Sequence, residues 1–317
     1  MPFKGFVCEL DGRCVCPEDC LKCSHRRQVN GENTCHFPPP IIAGIIESNQ
    51  PRELMGYSAT ELIGCHRRVV LQEEVDYWVK PSQAYWAFRG QLGHAIVEHF
   101  HDGNGARTIA ERRFYAEMDG MLITGQPDVI YPDDRLLVDY KTTKRVPQSI
   151  KRYVCPECEA IIRESPWKAR RGAKLKCECC GAEHADLKPE ILPPRPYDTH
   201  VQQLNVYAWL LAENDVLVET AQVVYLDMAE PFPVPVEVWP LAETEGYIRR
   251  QLAKLLERDE NGLPAGVRDD PDANWLCRYC AVESECARRH RSTESAEEVL
   301  DRGRRLLRGD PEDETLI

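Results

Sequence analysis

The 317-residue chain has no apolar run long enough to cross a bilayer, which excludes a helical membrane span. Its opening residues, Met1 to Cys8, lack the apolar core of a secretory signal, so a cytoplasmic setting is expected. A basic excess is also missing: 40 Lys and Arg stand against 52 Asp and Glu, a formal charge of −12. So acidic a chain is not a general polyanion binder, although basic clusters at 66–68, 141–145 and 168–176 leave room for local phosphate contacts. The length allows one large domain or a core domain with additions.

What the chain has in abundance is cysteine, 15 residues, many of them in CxxC-like pairs, the odd total leaving at least one outside any four-cysteine site. In a reducing compartment that pattern suits metal thiolates better than disulfides. Residues 1–40 form a cysteine-rich module containing Cys8, Cys14, Cys16, Cys20, Cys23 and Cys35. Cys20 and Cys23 make a zinc knuckle with Cys35 as third ligand, and either Cys8 or Cys16 as fourth. Residues 146–196 carry Cys155-x-x-Cys158 and Cys177-x-x-Cys180, two knuckles at the spacing of a zinc ribbon, with Cys179 a bystander. Between them lie Trp167 and a set of cations that could touch phosphates; the alternative is a solvated, zinc-stapled insertion. Cys277, Cys280 and Cys286 are one ligand short of a metal site, and Cys65 remains outside the two zinc modules to complete it.

The acids with chemical promise sit around a hairpin. Residues 125–131 and 136–141 read as two strands, with Asp128 on the first and Asp139 and Lys141 on the second. Side chains alternate along a strand, so Asp139 and Lys141 share a face. An acid and a lysine where burial should continue make a poor core strand, because charges are costly to bury. Two carboxylates at adjoining strand ends are good ligands for a hard divalent cation, and an ammonium beside them can orient water or neutralise an oxyanion. An isolated Asp-x-Lys would more simply be a surface ion pair.

The remaining pattern predicts a helix over 59–74 that opens with the capping box Ser58-x-x-Glu61 and carries Cys65 near its middle. A helix over 83–101 follows, with Gly90, His94 and Glu98 on one face. Strands are expected over 112–118, 121–131 and 135–142, the first two joined by an Asp119-Gly120 turn. A helix over 197–213 places His200, Gln203 and Tyr207 on one face, before strands over 220–228 and 234–239 and a helix over 242–258. The stretch after Arg291 reads as a charged helical tail, 292–317.

Taken in order, Gly90-x₃-His94, Gly125-x-Pro-Asp128, Asp139-Tyr-Lys141 and Gln203-x₃-Tyr207, with Cys65 upstream and Cys277, Cys280 and Cys286 at the end, resemble the RecB-like branch of PD-(D/E)XK nucleases. The likeness is to the iron–sulfur exonucleases of the CRISPR-adaptation family and covers about 57–289. It implies an α/β core of αβββαβ order, with a mixed central sheet flanked by helices, built from 57–145 and 197–291 around the inserted ribbon. It implies that His94, Asp128 and Asp139, with the Tyr140 carbonyl, bind Mg or Mn, and that Lys141 positions water and stabilises charge. Gln203 and Tyr207 would hold the scissile strand or orient Lys141. Cys65, Cys277, Cys280 and Cys286 would hold a structural [4Fe–4S] cluster, for which zinc is the alternative occupant. The implied substrate is DNA, as single strands or duplex ends, and the implied partners are CRISPR-adaptation or recombination proteins. Asp139 stands where many relatives have Glu. A different class of protein, a non-catalytic metal-stapled nucleic-acid-binding module, would carry the same cysteines without needing the acids.

Overall fold

The computed structural model describes residues 3–30, 35–49, 56–100, 107–143, 145–170, 172–227, 230–259, 262–268, 270 and 273–291. The predicted tail over 292–317 lies outside them. Two compact units form, one from Met1–Met55, Gly64–Phe88 and Tyr247–Ile317, the other from Gly56–Ile63 and Arg89–Gly246.

The chain opens with β1 (Phe3–Val7), β2 (Cys14–Val15), α1 (Pro17–Asn30) and α2 (Pro39–Ser48). After these come β3 (Tyr57–Ser58), α3 (Ala59–Ile63), α4 (His66–Glu74), β4 (Tyr77–Val79) and α5 (Pro81–Phe100). In the first unit β1 pairs antiparallel with β2 and parallel with β4, and Phe6, Ile42, Ile45 and Val79 bury together in its core. Ser58 forms the expected capping box: its Oγ accepts from Glu61 N at 3.2 Å, and its own N–H donates to Glu61 Oε2 at 2.7 Å.

The single helix expected over 59–74 is broken. Gly64, a poor helix former, precedes Cys65, whose φ of −76° and ψ of 106° are extended, and Cys65 O accepts from Arg68 N to start α4. Cys65 therefore stands at a helix N-terminus rather than in the middle of a helix.

The second unit continues with β5 (Ile109–Ala110), β6 (Phe114–Met118), β7 (Met121–Gly125), β8 (Val129–Tyr131) and β9 (Leu136–Thr142). The strand expected over 121–131 is in fact two. β7 pairs with β6 and β3, whereas β8 pairs with β9 and β5, and Gln126-Pro127-Asp128 carries the chain from one sheet to the other. Pro127 has no N–H to give to a ladder, so the division falls there. Asp119 and Gly120 both take positive φ, 53° and 78°, as the predicted two-residue turn requires.

An inserted ribbon follows: β10 (Ile150–Val154), β11 (Ile161–Ser165), β12 (Lys174–Lys176), β13 (Glu183–Ala185) and β14 (Glu190–Leu192). Its sheets are β11-β10-β14 and the hairpin β12-β13. Then α6 (Asp198–Ala212) leads to β15 (Thr220–Leu226), which lies parallel to β9. β16 (Pro231–Val236) completes a five-stranded mixed sheet in the order β16-β15-β9-β8-β5. It runs three residues earlier than the expected 234–239. Pro231, Pro233 and Pro235 alternate along it, and the strand tolerates them because it is the sheet edge, where one row of N–H groups has no neighbour. Last come α7 (Leu241–Leu256), a 3-10 turn over Asn274–Tyr279, and α8 (Glu283–Arg291). No helix among the described residues is long and apolar enough to cross a membrane. The architecture is mixed α/β, as expected.

Candidate active site and cysteine centres

β8 and β9 run antiparallel with Val129 opposite Val138, so the next pair outward is Asp128 and Asp139. Both are almost fully buried, at 2% and 0% exposure. Val129, Val138 and Val224 form the apolar cluster behind them. Asp128 Oδ2 accepts the Tyr140 N–H at 2.6 Å, which fixes its carboxylate against the neighbouring strand. Lys141 Nζ lies 2.6 Å from Asp139 Oδ2, on the face that strand alternation predicts. Yet neither oxygen of Asp139 receives a well-directed hydrogen bond. A buried carboxylate left in that state is costly unless something else satisfies it, and a cation fits the requirement.

Electrostatics agree with the geometry. Burial pushes the Asp139 carboxyl up, Lys141 pulls it down, and Asp128 pushes it up again, for a net rise. Burial alone would lower Lys141, but Asp139, Asp128 and Glu111 together outweigh it and raise the ammonium above its ordinary value. Lys141 is therefore a fixed cation at neutral pH and not a proton acceptor.

The α6 residues arrive from the other side of the sequence. Gln203 Nε2 donates to Tyr207 Oη at 2.7 Å, both side chains being buried. Tyr207 is held well above its usual range, first by burial and then by Asp139. Gly125 explains how α6 comes so close. A Cβ there would lie 2.7 Å from Leu210 Cδ1 and 2.8 Å from the Tyr207 ring, so only glycine admits the helix. His94 lies in α5, whose Gly93 passes close to β9: a Cβ on it would meet Thr142 Cγ2 at 3.4 Å. The His94 side chain falls outside the described residues.

Two nearby groups lie outside the expected site set: Glu111, and His200, which the sequence places on one face with Gln203 and Tyr207. Glu111 has a φ of 47° and its N–H donates to Asp128 O at 3.0 Å. Its Oε2 accepts from Gln126 Nε2 at 2.8 Å, and Gln126 in turn accepts from Arg113 at 2.6 Å. No spacing pattern would have revealed it, since it precedes a strand by a turn. His200 bonds Tyr225 Oη through Nδ1 at 2.9 Å and is pushed down to about 4, mainly by burial and then by Lys141. Its i−3 relation to Gln203 was the available signal.

Four ribbon thiols, Cys155, Cys158, Cys177 and Cys180, gather with their sulfurs all within 4.8 Å. The pairs Cys155–Cys180 and Cys158–Cys177 stand at 3.6 and 3.5 Å, close to the ~3.8 Å edge of a tetrahedral zinc–thiolate site. The two knuckles have the same fold: Cys155 N donates to Ala160 O and Cys177 N to Ala182 O, and Glu159 and Gly181 both take positive φ. Backbone N–H groups, Cys180 first, pull the Cys177 thiol down to about 7. Cys179 is exposed and outside the group, and His184 Nε2 lies 3.3 Å from Cys155 Sγ.

Cys65, Cys277, Cys280 and Cys286 line one pocket of about 420 Å³, part of it open to solvent. Arg68 and Arg268 line it too, and the Nε of each is buried without a hydrogen-bond partner. Two orphaned cationic donors facing four thiols suit an anionic cluster. Among the described residues the ribbon is the only place where three or more ligating groups lie within 4.8 Å of one another; neither these four thiols nor the N-terminal cysteines gather so closely. In the N-terminal module Cys20 is buried and pushed up to about 12 by burial, then by Cys35, Cys23 and Cys8. Cys16 is exposed and Cys8 half-buried.

No curated protein matches the chain. Among solved structures, SSO0001 is similar at 17% identity and a TM-score of 0.46, covering 77% of this chain and 92% of that one. A protein from Eubacterium rectale described as a candidate exonuclease is similar at 13% identity and a TM-score of 0.27, covering 55% and 52%. At these TM-scores neither likeness bears on the activity. Residues 181–287 match the family model described as PD-(D/E)XK nuclease superfamily. The matched span includes Gln203, Tyr207, Cys277, Cys280 and Cys286, and stops short of Asp128, Asp139 and Lys141. By its motifs and by that span the chain resembles the PD-(D/E)XK nuclease superfamily, which supports a nuclease activity.

Proposed function

We propose that the chain is a metal-dependent DNA exonuclease that hydrolyses phosphodiester bonds of single strands or duplex ends. One observation carries the reading: Asp139 is fully buried and neither of its oxygens receives a well-directed hydrogen bond, opposite Asp128 and with Oδ2 2.6 Å from the half-buried Lys141 ammonium. A fold would not retain that arrangement for stability, because buried charge without full hydrogen bonding is unfavourable. It is the arrangement that a divalent cation and a phosphate would complete.

Asp128 and Asp139, with the Tyr140 carbonyl and His94, would hold Mg or Mn. When bound, such an ion lowers the pKa of water and offsets charge on the phosphate. Lys141, kept protonated by its three acidic neighbours, orients the attacking water and faces the charge that builds on the phosphoryl oxygens. Gln203 and Tyr207, bonded to each other, brace the wall of the site, and Tyr207 keeps its proton as a donor. Cys65, Cys277, Cys280 and Cys286 would hold a [4Fe–4S] cluster whose role is structural, since phosphodiester hydrolysis has no redox step. It ties chain positions 212 apart (277 − 65), a closure that is entropically costly without a clamp. The ribbon would hold zinc on Cys155, Cys158, Cys177 and Cys180, and the N-terminal module would hold zinc on Cys20, Cys23 and Cys35, with Cys8 or Cys16 as the fourth ligand. The cellular setting that fits the motif set is CRISPR adaptation or DNA recombination and repair.

The test is digestion of end-labelled single-stranded DNA with Mg²⁺ or Mn²⁺. Asp139→Ala and Lys141→Ala are expected to lose cleavage while keeping the wild-type circular dichroism spectrum. Cleavage at the wild-type rate by either variant overturns the assignment and favours a non-catalytic binding module.

A further inference from the structure

The cysteine ribbon has chemistry that metal stapling does not use. Residues 165–176 contain Lys168, Arg170, Arg171, Lys174 and Lys176 and no acid, in a chain whose net charge is −12. Within that stretch Trp167 is 61% exposed, the most exposed tryptophan among the described residues. Removing so large an apolar surface from water is favourable, so leaving it out needs a reason.

The loop that carries it is pinned rather than loose. Ala169 N donates to the hydroxyl of buried Tyr153 at 2.8 Å, and Lys151 Nζ donates to Pro166 O at 2.8 Å and to Ser149 O at 2.9 Å. Trp167 N donates to Ser165 Oγ at 3.1 Å. The indole is thus presented from a fixed backbone, with Lys168, Arg170, Lys174 and Lys176 exposed in the same stretch of chain. Of the nearby acids, Glu164 is engaged with Arg152 and Arg195, while Glu183 lies 3.8 Å from Lys174, one of the cations of this stretch.

Topology places this surface next to the candidate active site along the chain. The ribbon leaves from the end of β9, seven residues (143–149) before β10, and returns to α6 after five (193–197). Those connections span at most about 25 Å and 18 Å. They join the ribbon to the strand bearing Asp139 and Lys141 and to the helix bearing His200, Gln203 and Tyr207.

We infer that residues 165–170 and 172–176 form a binding surface for a single-stranded polynucleotide, with Trp167 stacking on a base and the cations of the stretch following the phosphates. Single strands are the fitting partner because only an unpaired base offers its face to an exposed indole, while the cations bind without regard to sequence. The inference rests on the nuclease reading only for the claim that the strand held here is the substrate. Binding itself is independent of cleavage.

The experiment uses the full chain, zinc-loaded, carrying Asp139→Asn to prevent cleavage, with no added divalent cation. Fluorescence anisotropy measures its affinity for labelled oligothymidylate, oligouridylate and a blunt duplex across a salt series. Trp167→Ala is expected to weaken single-strand binding about 5- to 100-fold, the loss of one stacked base, and to leave duplex binding within twofold. Trp167→Phe restores most of the loss. Lys168→Ala with Arg170→Ala reduces the slope of log affinity against log salt by about 1.4, or about 0.7 for each lost phosphate contact. Comparing the two single-stranded oligomers decides between DNA and RNA. Single-strand affinity within twofold of the parent in Trp167→Ala overturns the inference, as does a change confined to self-association in sedimentation, which would make the loop a protein contact. If Trp167→Ala weakens binding while Asp139→Ala still cleaves, the nuclease reading falls and the ribbon surface stands. If Asp139→Ala is inactive while Trp167→Ala binds normally, the reverse holds.

Discussion

Replacing Gly125 by alanine tests whether the glycine of the Gly-x-Pro-Asp motif is there for space rather than for backbone freedom. Its φ is not in the left-handed region, so any cost of a side chain must come from contact. The added Cβ would sit 2.7 Å from Leu210 Cδ1 and 2.8 Å from two Tyr207 ring carbons, well inside ordinary contact near 3.5–4 Å. Neither neighbour has room to yield: Leu210 is 0% exposed, and Tyr207 is 5% exposed with its hydroxyl bonded to Gln203. Overpacking of this kind costs about 1–3 kcal/mol, and losing the Gln203–Tyr207 hydrogen bond would add about 1 kcal/mol. At roughly 2–4 °C per kcal/mol, the midpoint of thermal unfolding should fall by about 4–16 °C. Cleavage should fall as well, because α6 is pushed away from the sheet that carries Asp128. Differential scanning calorimetry and the end-label assay measure the two effects. A midpoint within 1 °C of wild type, with unchanged cleavage, would refute the packing argument.

Three further outcomes are expected. Cys177→Ser should lower the bound zinc by one per chain in elemental analysis, and hydrogen exchange should rise in β10–β14 without rising in β9 or β15; unchanged zinc counts against the ribbon site. Arg268→Met removes an orphaned buried donor from the cysteine pocket, so absorbance at about 400 nm should bleach several-fold faster in air, and an equal rate would separate Arg268 from the cluster. His200 is half-buried and pushed down to about 4 from 6.5, so the unfolded chain takes up its proton first. The stability contributed by neutral His200 is present above about pH 6.5 and is lost as pH falls toward 4. Urea titrations at pH 7 and 4.5 should show a smaller acid loss in His200→Asn, and identical losses would remove His200 from the account.

The chemistry was legible in the sequence wherever it depended on local spacing. Period-two alternation put Asp139 and Lys141 on one face, and they lie 2.6 Å apart. The two CxxC knuckles, with Cys179 as bystander, gather four sulfurs within 4.8 Å because each knuckle closes its own turn by hydrogen bonds within six residues. The capping box and the Asp-Gly turn are likewise short-range devices.

Tertiary structure decided what spacing could not. The division of 121–131 into β7 and β8 depends on which sheet each half can pair with, and the break at Gly64-Cys65 replaces the helix that an apolar pattern alone suggests. Glu111 approaches Lys141 only because its backbone bonds Asp128 across the sheet, a relation with no sequence period. Linear order therefore determined which groups are present and which neighbours share a face, since backbone geometry repeats every two or 3.6 residues. Which distant carboxylates, amines and thiols meet depends on strand pairing and helix approach, and those are settled by burial summed over the whole unit.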